Sequence, residues 1–151
     1  MCAEGVANRS LGVLRAEQAC RELVLRSAAL IDAADWAGLA ALFSVDAELT
    51  RPAGPVINGR EAIERAYRER PSERLTAHLI CGTLFEEIGP NVARANSRVL
   101  LWTADSRSEV GPHGRAASAR QFVGSFQDTF VRTSAGWQIG MRRAGFDLHL
   151  D

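Results

Sequence analysis

Apolar or small residues recur at Ala16, Ala19, Cys20, Leu23, Val24, Ser27, Leu30 and Ile31, with no Gly or Pro between residues 14 and 33. The i, i+3, i+4, i+7 spacing predicts an amphipathic helix over 14–33, with Arg15, Glu17, Gln18, Glu22 and Arg26 on its solvated side. Asp35 suits the N-cap of a short second helix that buries Trp36, Leu39, Ala40 and Phe43. Residues 47–51 read as a short strand stopped by Pro52, and Gly54-Pro55 and Asn58-Gly59 punctuate a loop. A third helix over 60–70 buries Ala62, Ile63, Ala66 and Tyr67 and ends before Pro71.

Past Pro71 the period changes from helical to strand-like. Segments 75–87, 91–103, 116–133 and 136–148 are long and Gly-punctuated, and the turns at Gly89-Pro90-Asn91 and Ser134-Ala135-Gly136 are short enough for antiparallel hairpins. Residues 105–115, rich in Ser, Gly and Pro, form the one longer loop. Helices first and a strand meander afterwards predict an α+β domain. Three N-terminal helices then cover a long curved antiparallel or mixed sheet, leaving a pocket between the layers. A single domain is expected over 14–149, preceded by a flexible N-terminal arm over 1–13.

Composition narrows the function classes. Eighteen basic residues balance eighteen acidic ones, which argues against a nucleic-acid or anionic-membrane partner, because both need a concentrated basic surface. Zero formal charge also removes colloidal repulsion, so self-association is expected. Cys2, Cys20 and Cys81 show no CxxC or metal-ligand spacing and are expected as reduced thiols, Cys81 as a small core residue inside its strand. The opening MCAEGVANRS lacks the basic-then-apolar order of a signal peptide, and no apolar run approaches the roughly 20 residues of a membrane span. The expected compartment is the cytoplasm. His78, His113 and His149 are too scattered for a metal site, and no GxGxxG or P-loop signals a nucleotide. No cofactor is expected.

One acid/base pair is well placed. Asp32 closes the first helix and His78 opens an apolar strand. A carboxylate that orients and charges an imidazole is a common way to build a general base near neutral pH. Strand alternation places Thr76, His78, Ile80, Gly82 and Leu84 on one face, expected to point inward. Two readings stand here. The pair removes a proton from a ligand, or Asp32 binds backbone N–H groups at the turn into the second helix while His78 is a core histidine paired with Asp32 for structure alone. Trp36, Tyr67, Leu101, Phe122 and Phe126 are the candidates for ligand contact, and Trp102 also comes within reach. Core packing is the competing use of Phe122, Phe126 and Phe130. Asp128 is expected to pair with Arg142 or Arg143, and Arg98 to be solvated or paired, with an anionic substrate as its alternative. His113 is expected in solvent and His149 at a frayed end.

The pattern Asp32-Ala-Ala-Asp35-Trp36-x-x-Leu39-x-x-Leu42-Phe43, then Asp46-Ala47, resembles the first two helices of the nuclear transport factor two-like superfamily, and within it the SnoaL-like group. Gly59-Arg60-Glu61-Ala62-Ile63, Thr76-Ala77-His78, and Gly124-x-Phe126-x-Asp128-x-Phe130-x-Arg132 before Gly136-Trp137 resemble that group's third helix, second strand and last hairpin. The resemblance spans about 14–147 and implies a cone-shaped α+β barrel that dimerises through its sheet. Scytalone dehydratase and lindane dehydrochlorinase, of this superfamily, hold a catalytic Asp and His at positions that Asp32 and His78 match. Their pair abstracts a proton in an elimination. The dehydratase's second catalytic His falls near Leu101 here. Arg51-Pro52 stands where ketosteroid isomerase has its Asp-Pro base.

The leading expectation is therefore a cofactor-independent lyase or isomerase, dehydratase-like or polyketide-cyclase-like, acting on a hydrophobic small molecule. The competing class is a non-catalytic binding or subunit-assembly module of the same fold, akin to the small subunits of dioxygenases.

Overall fold

The computed structural model describes residues 10–151. Most of the expected arm, residues 1–9, lies outside the described residues; its remainder starts the first helix. Ser10 caps α1 (Leu11–Asp32), its hydroxyl accepting the Val13 N–H. The helix thus begins three residues before the apolar pattern announces it. α2 (Trp36–Ala41) follows a tight turn, capped by Asp35, whose carboxylate accepts the Gly38 N–H at 2.9 Å. Phe43, expected on that helix, instead begins β1 (Phe43–Thr50), which is longer than the 47–51 strand predicted.

The loop expected after Pro52 contains a short edge strand, β2 (Val56–Asn58), and leads into α3 (Arg60–Arg68). Then come β3 (Arg74–Ile88) and β4 (Val92–Asp105). The 105–115 loop holds a small separate hairpin of β5 (Val110–Gly111) and β6 (Gly114–Arg115). The last hairpin is β7 (Gln121–Thr133) with β8 (Gly136–Leu150). Six strands form one mixed sheet in the order β2-β1-β8-β7-β4-β3, antiparallel except where β1 runs parallel to β8. Three helices lie against it, giving the α+β architecture that the helix-then-strand pattern predicts.

The core fills the space between α1 and the sheet. Cys20, Leu23, Val24 and Ile31 from the helix meet Ala93, Ala95 and Val99 of β4 and Phe126 and Phe130 of β7. No helix among the described residues is long and apolar enough to cross a membrane.

Two departures from simple alternation shape the inner face. A register shift between Ile80 and Gly82 of β3 turns Thr83 and Phe85 inward and leaves Leu84 79% exposed. Gly82 and Leu84 therefore do not continue the inward row of Thr76, His78 and Ile80. Cys81 sits in the same bulge and is exposed rather than in the core, whereas Cys20 is fully buried. Burial, helped by the Asp128 charge, pushes the Cys20 thiol up to about 12, so it packs as a small apolar residue.

The second departure lies between β7 and β8, where the register shifts after Val123. A Cβ at Gly124 would stand 2.2 Å from the Gly145 carbonyl oxygen, so only glycine permits this close approach. Gly124→Ala is expected to destabilise the fold by about 1–3 kcal/mol, read as a lower denaturation midpoint; an unchanged midpoint would mean that the strands part without cost.

Candidate functional site

The C-terminus of α1 and the N-terminal third of β3 converge on one carboxylate. Asp32 Oδ1 lies 2.6 Å from His78 Nδ1 and accepts the Thr76 hydroxyl at 2.8 Å. Its Oδ2 accepts the backbone N–H of His78, also at 2.8 Å. Thus Asp32 holds both the ring and the main chain of the same residue. The N–H groups of the turn after α1 are bound elsewhere: Ala33 and Ala34 donate to Ala29 and Ile31 carbonyls, and Asp35 donates to that of Leu30. Asp32 is not used to cap that turn.

This geometry fixes the histidine's chemistry. An ionised carboxylate can only accept, so Nδ1 carries the proton toward Asp32 and Nε2 is left as the basic nitrogen. No described residue hydrogen-bonds Nε2. The His78 side chain is 11% exposed and that of Asp32 26%. Burial pushes the Asp32 carboxyl up, but the hydrogen bonds from the His78 ring, the His78 N–H and Thr76, with the His78 charge, outweigh it and hold the carboxyl below its ordinary value.

A folded value below the unfolded one means that the unfolded chain takes up the proton first as pH falls. The stabilisation is therefore full above the ordinary carboxylate value, about 3.9, and is lost as pH falls through the lower folded value. Asp32→Asn is expected to flatten the acid limb of stability below about pH 4. Urea denaturation at stepped pH checks this; an acid limb identical to the parent's would contradict it.

His78 borders a pocket of about 290 Å³, open on one side and mostly apolar. Ile31, Val99, Leu101, Phe126, Ala144 and Phe146 supply greasy wall, and Tyr67 and Thr76 supply hydroxyls. Of the expected ligand contacts, Tyr67, Leu101 and Phe126 line it. Trp36 does not: it stacks behind Tyr67, ring centroids 5.6 Å apart. Phe122 also stands one layer back, stacked at 4.2 Å on Phe146, which takes the lining position. Trp102 is on the outer face of the sheet, as its alternation with buried Leu101 requires. Burial pushes the Tyr67 hydroxyl up, against the opposing charges of Arg142, Arg70 and Arg51, so it stays a hydrogen-bond donor.

Behind Phe126 lies the ion pair anticipated for Asp128. Arg142, rather than Arg143, forks onto both carboxylate oxygens at 2.7 and 2.8 Å and donates to Ser27 Oγ of α1. The guanidinium carbon sits 4.1 Å over the Phe126 ring. The pair braces the pocket floor from beneath. Arg98 pairs with Asp147 on the exposed face, away from the pocket. His113 lies in the exposed β5–β6 turn, and His149 is in β8 opposite Phe122, not frayed.

The sequence gives no direct sign of the three charged lining residues, Arg51, Arg70 and Arg74. Alternation on β3 was a usable signal for Arg74, which shares the face of Thr76 and His78. Arg51 and Arg70 sit at the ends of separate elements, and only the fold brings them together.

A candidate scytalone dehydratase from Novosphingobium aromaticivorans superposes with a TM-score of 0.77 at 19% identity, covering 93% of this chain and 89% of that one. LinA superposes at 0.78 with 18% identity, covering 93% and 91%. A second LinA structure, of the type 2 hexachlorocyclohexane dehydrochlorinase, superposes at 0.77 with 15% identity over 92% and 90%. ActVI-ORFA from Streptomyces coelicolor follows at 0.68, with 19% identity over 85% and 95%. At such identities these likenesses carry the fold. No curated protein matches in sequence. The SnoaL-like domain model matches residues 12–143, nearly the whole described chain. The chain belongs to the SnoaL-like domain family.

Proposed function

We propose that this protein is a cofactor-independent lyase or isomerase acting on a hydrophobic small molecule. His78 Nε2 removes a proton from carbon, and Asp32 holds the ring in the required tautomer and stabilises the imidazolium that forms. The observation that carries this reading is the Asp32–His78 contact at the wall of an apolar pocket. A proton alpha to a carbonyl, or one anti to a leaving group, suits such a base. Thr76 is a positioning residue: its hydroxyl steadies the carboxylate oxygen that binds the ring.

A direct test needs no knowledge of the product. In D2O, the protein is incubated with a panel of cyclic ketones, with and without a ring carboxylate, and deuterium uptake is followed by mass spectrometry. Exchange should be faster with the parent than with His78→Ala. Equal exchange across the whole panel would refute the assignment.

The assembly-module reading is favoured by one observation, the outer sheet face. Leu79, Leu84 and Trp102 are exposed there on β3 and β4. A second copy of the chain covering this face serves an enzyme equally well, and we place a homodimer contact there. Light scattering should give twice the 16.4 kDa chain mass, reduced to a monomer by Leu79→Glu with Leu84→Glu. A monomeric parent would rule the contact out.

A further inference from the structure

Among the described residues no carboxylate lines the pocket, yet three arginines do. Arg51 comes from the end of β1, Arg70 from just past α3, and Arg74 from the start of β3. Among the described residues none of the three forms an ion pair. Other arginines do form ion pairs, Arg98 with Asp147 and Arg142 with Asp128 among them; what sets the three apart is that they are unpaired and share one apolar cavity.

Two of the three, Arg51 and Arg70, are held by aromatic faces and backbone rather than by a carboxylate. Arg51 lies 5.5 Å over the Tyr67 ring and donates to the Ala66 carbonyl. Arg70 lies 5.6 Å over the Trp36 ring, and Trp36 and Tyr67 stack on each other. The order is thus cation, ring, ring, cation, a rigid mount that spends little side-chain freedom. Burial lowers the Arg70 guanidinium, and the charges of Arg74 and Arg51 add to that lowering against the opposing pull of Tyr67 and Asp32. Three like charges beside an apolar cavity repel one another, and that cost is relieved by an anion between them.

We infer that the rim formed by Arg51, Arg70 and Arg74 is an anion subsite, and that the substrate is an organic carboxylate whose apolar body reaches from this rim to His78. The proposal rests on the base assignment above, because it names the substrate class for that same pocket. Arg74 and His78 are four residues apart on one strand face, about 13 Å between Cα atoms. The small cavity suits a mono- or bicyclic acid that sets its charged group at this rim and its reacting carbon beside His78.

The test measures calorimetric binding of 1-naphthoate and of its neutral isostere 1-naphthamide to the full chain. The parent should bind the acid at least tenfold tighter than the amide, with the difference shrinking as salt rises. Arg70→Gln with Arg74→Gln should abolish that preference, whereas Arg98→Gln on the outer face should keep it. His78→Ala should also keep it, although this variant loses deuterium exchange. Equal affinity for acid and amide in the parent, or binding of neither, overturns the subsite. A preference that survives the double arginine variant overturns it too. Acid preference in a parent with no exchange activity would support the subsite and fail the base assignment, so the two stand or fall separately.

Discussion

Replacing His78 with alanine is expected to lower turnover about 10²- to 10⁴-fold, the usual contribution of a positioned general base. The apolar wall that holds the ligand is untouched, so the loss should appear in kcat with little change in KM. Asp32→Asn should follow it closely. An amide cannot stabilise the imidazolium, and its NH2 group competes for the place of the acceptor that fixes the Nδ1 proton. Because Asp32 also accepts the His78 backbone N–H and the Thr76 hydroxyl, this variant should in addition lose about 1–3 kcal/mol of stability. Thr76→Val should reduce kcat more mildly, since the carboxylate keeps its two bonds to His78. Full activity in either His78→Ala or Asp32→Asn would refute the assignment. A loss of activity accompanied by general unfolding of His78→Ala would mean that the ring is a core element.

The largest effect on stability is expected at the ion pair beneath the pocket. Arg142 is 1% exposed and gives three hydrogen bonds, two to Asp128 and one to Ser27. Asp128→Ala strands a guanidinium in the core, and breaking such a pair from one side costs about 3–5 kcal/mol. For a chain of this length each kcal/mol corresponds to about 2–4 °C, so a fall in Tm of about 6–20 °C is expected. Joint replacement by Asp128→Leu and Arg142→Met should recover much of that loss, because an apolar pair of similar volume carries no desolvation cost. A double variant worse than Asp128→Ala alone would show that the charges hold the core by more than mutual compensation. Phe126 rests on Arg142, so even a stable double variant should show a changed KM through the pocket floor.

Where a residue's role follows from local periodicity, the sequence predicts it well. The apolar stripe from Ala16 to Ile31 locates α1 and its buried face, and Asp35 caps α2 as its side-chain chemistry implies. The positions of Asp32 and His78 were picked out by residue type and by family resemblance, since a contact between residues 46 apart leaves no local signature. Alternation located His78 on the inner face, but it failed four residues later. The bulge after Ile80 adds a residue without any composition signal, so Leu84 and Cys81, both expected inside, are exposed. β2, with three residues on the sheet edge, was hidden among turn formers. Trp36 and Phe122, expected toward the pocket, stand one layer behind its lining. Which aromatic ring covers which is decided by packing against Tyr67 and Phe146, and chain order does not encode it. Two of the three rim arginines are hidden for the same reason: Arg51 and Arg70 each look like a solvated residue before a proline until the fold sets them side by side.

Nitrogen-15 NMR of the neutral His78 imidazole, recorded on the intact protein, interrogates the base most directly. We expect the proton on Nδ1, bonded to Asp32, with Nε2 unprotonated and shifting when a ligand enters the pocket. A neutral ring carrying its proton on Nε2 would leave no basic nitrogen toward the cavity and would contradict the proposed chemistry.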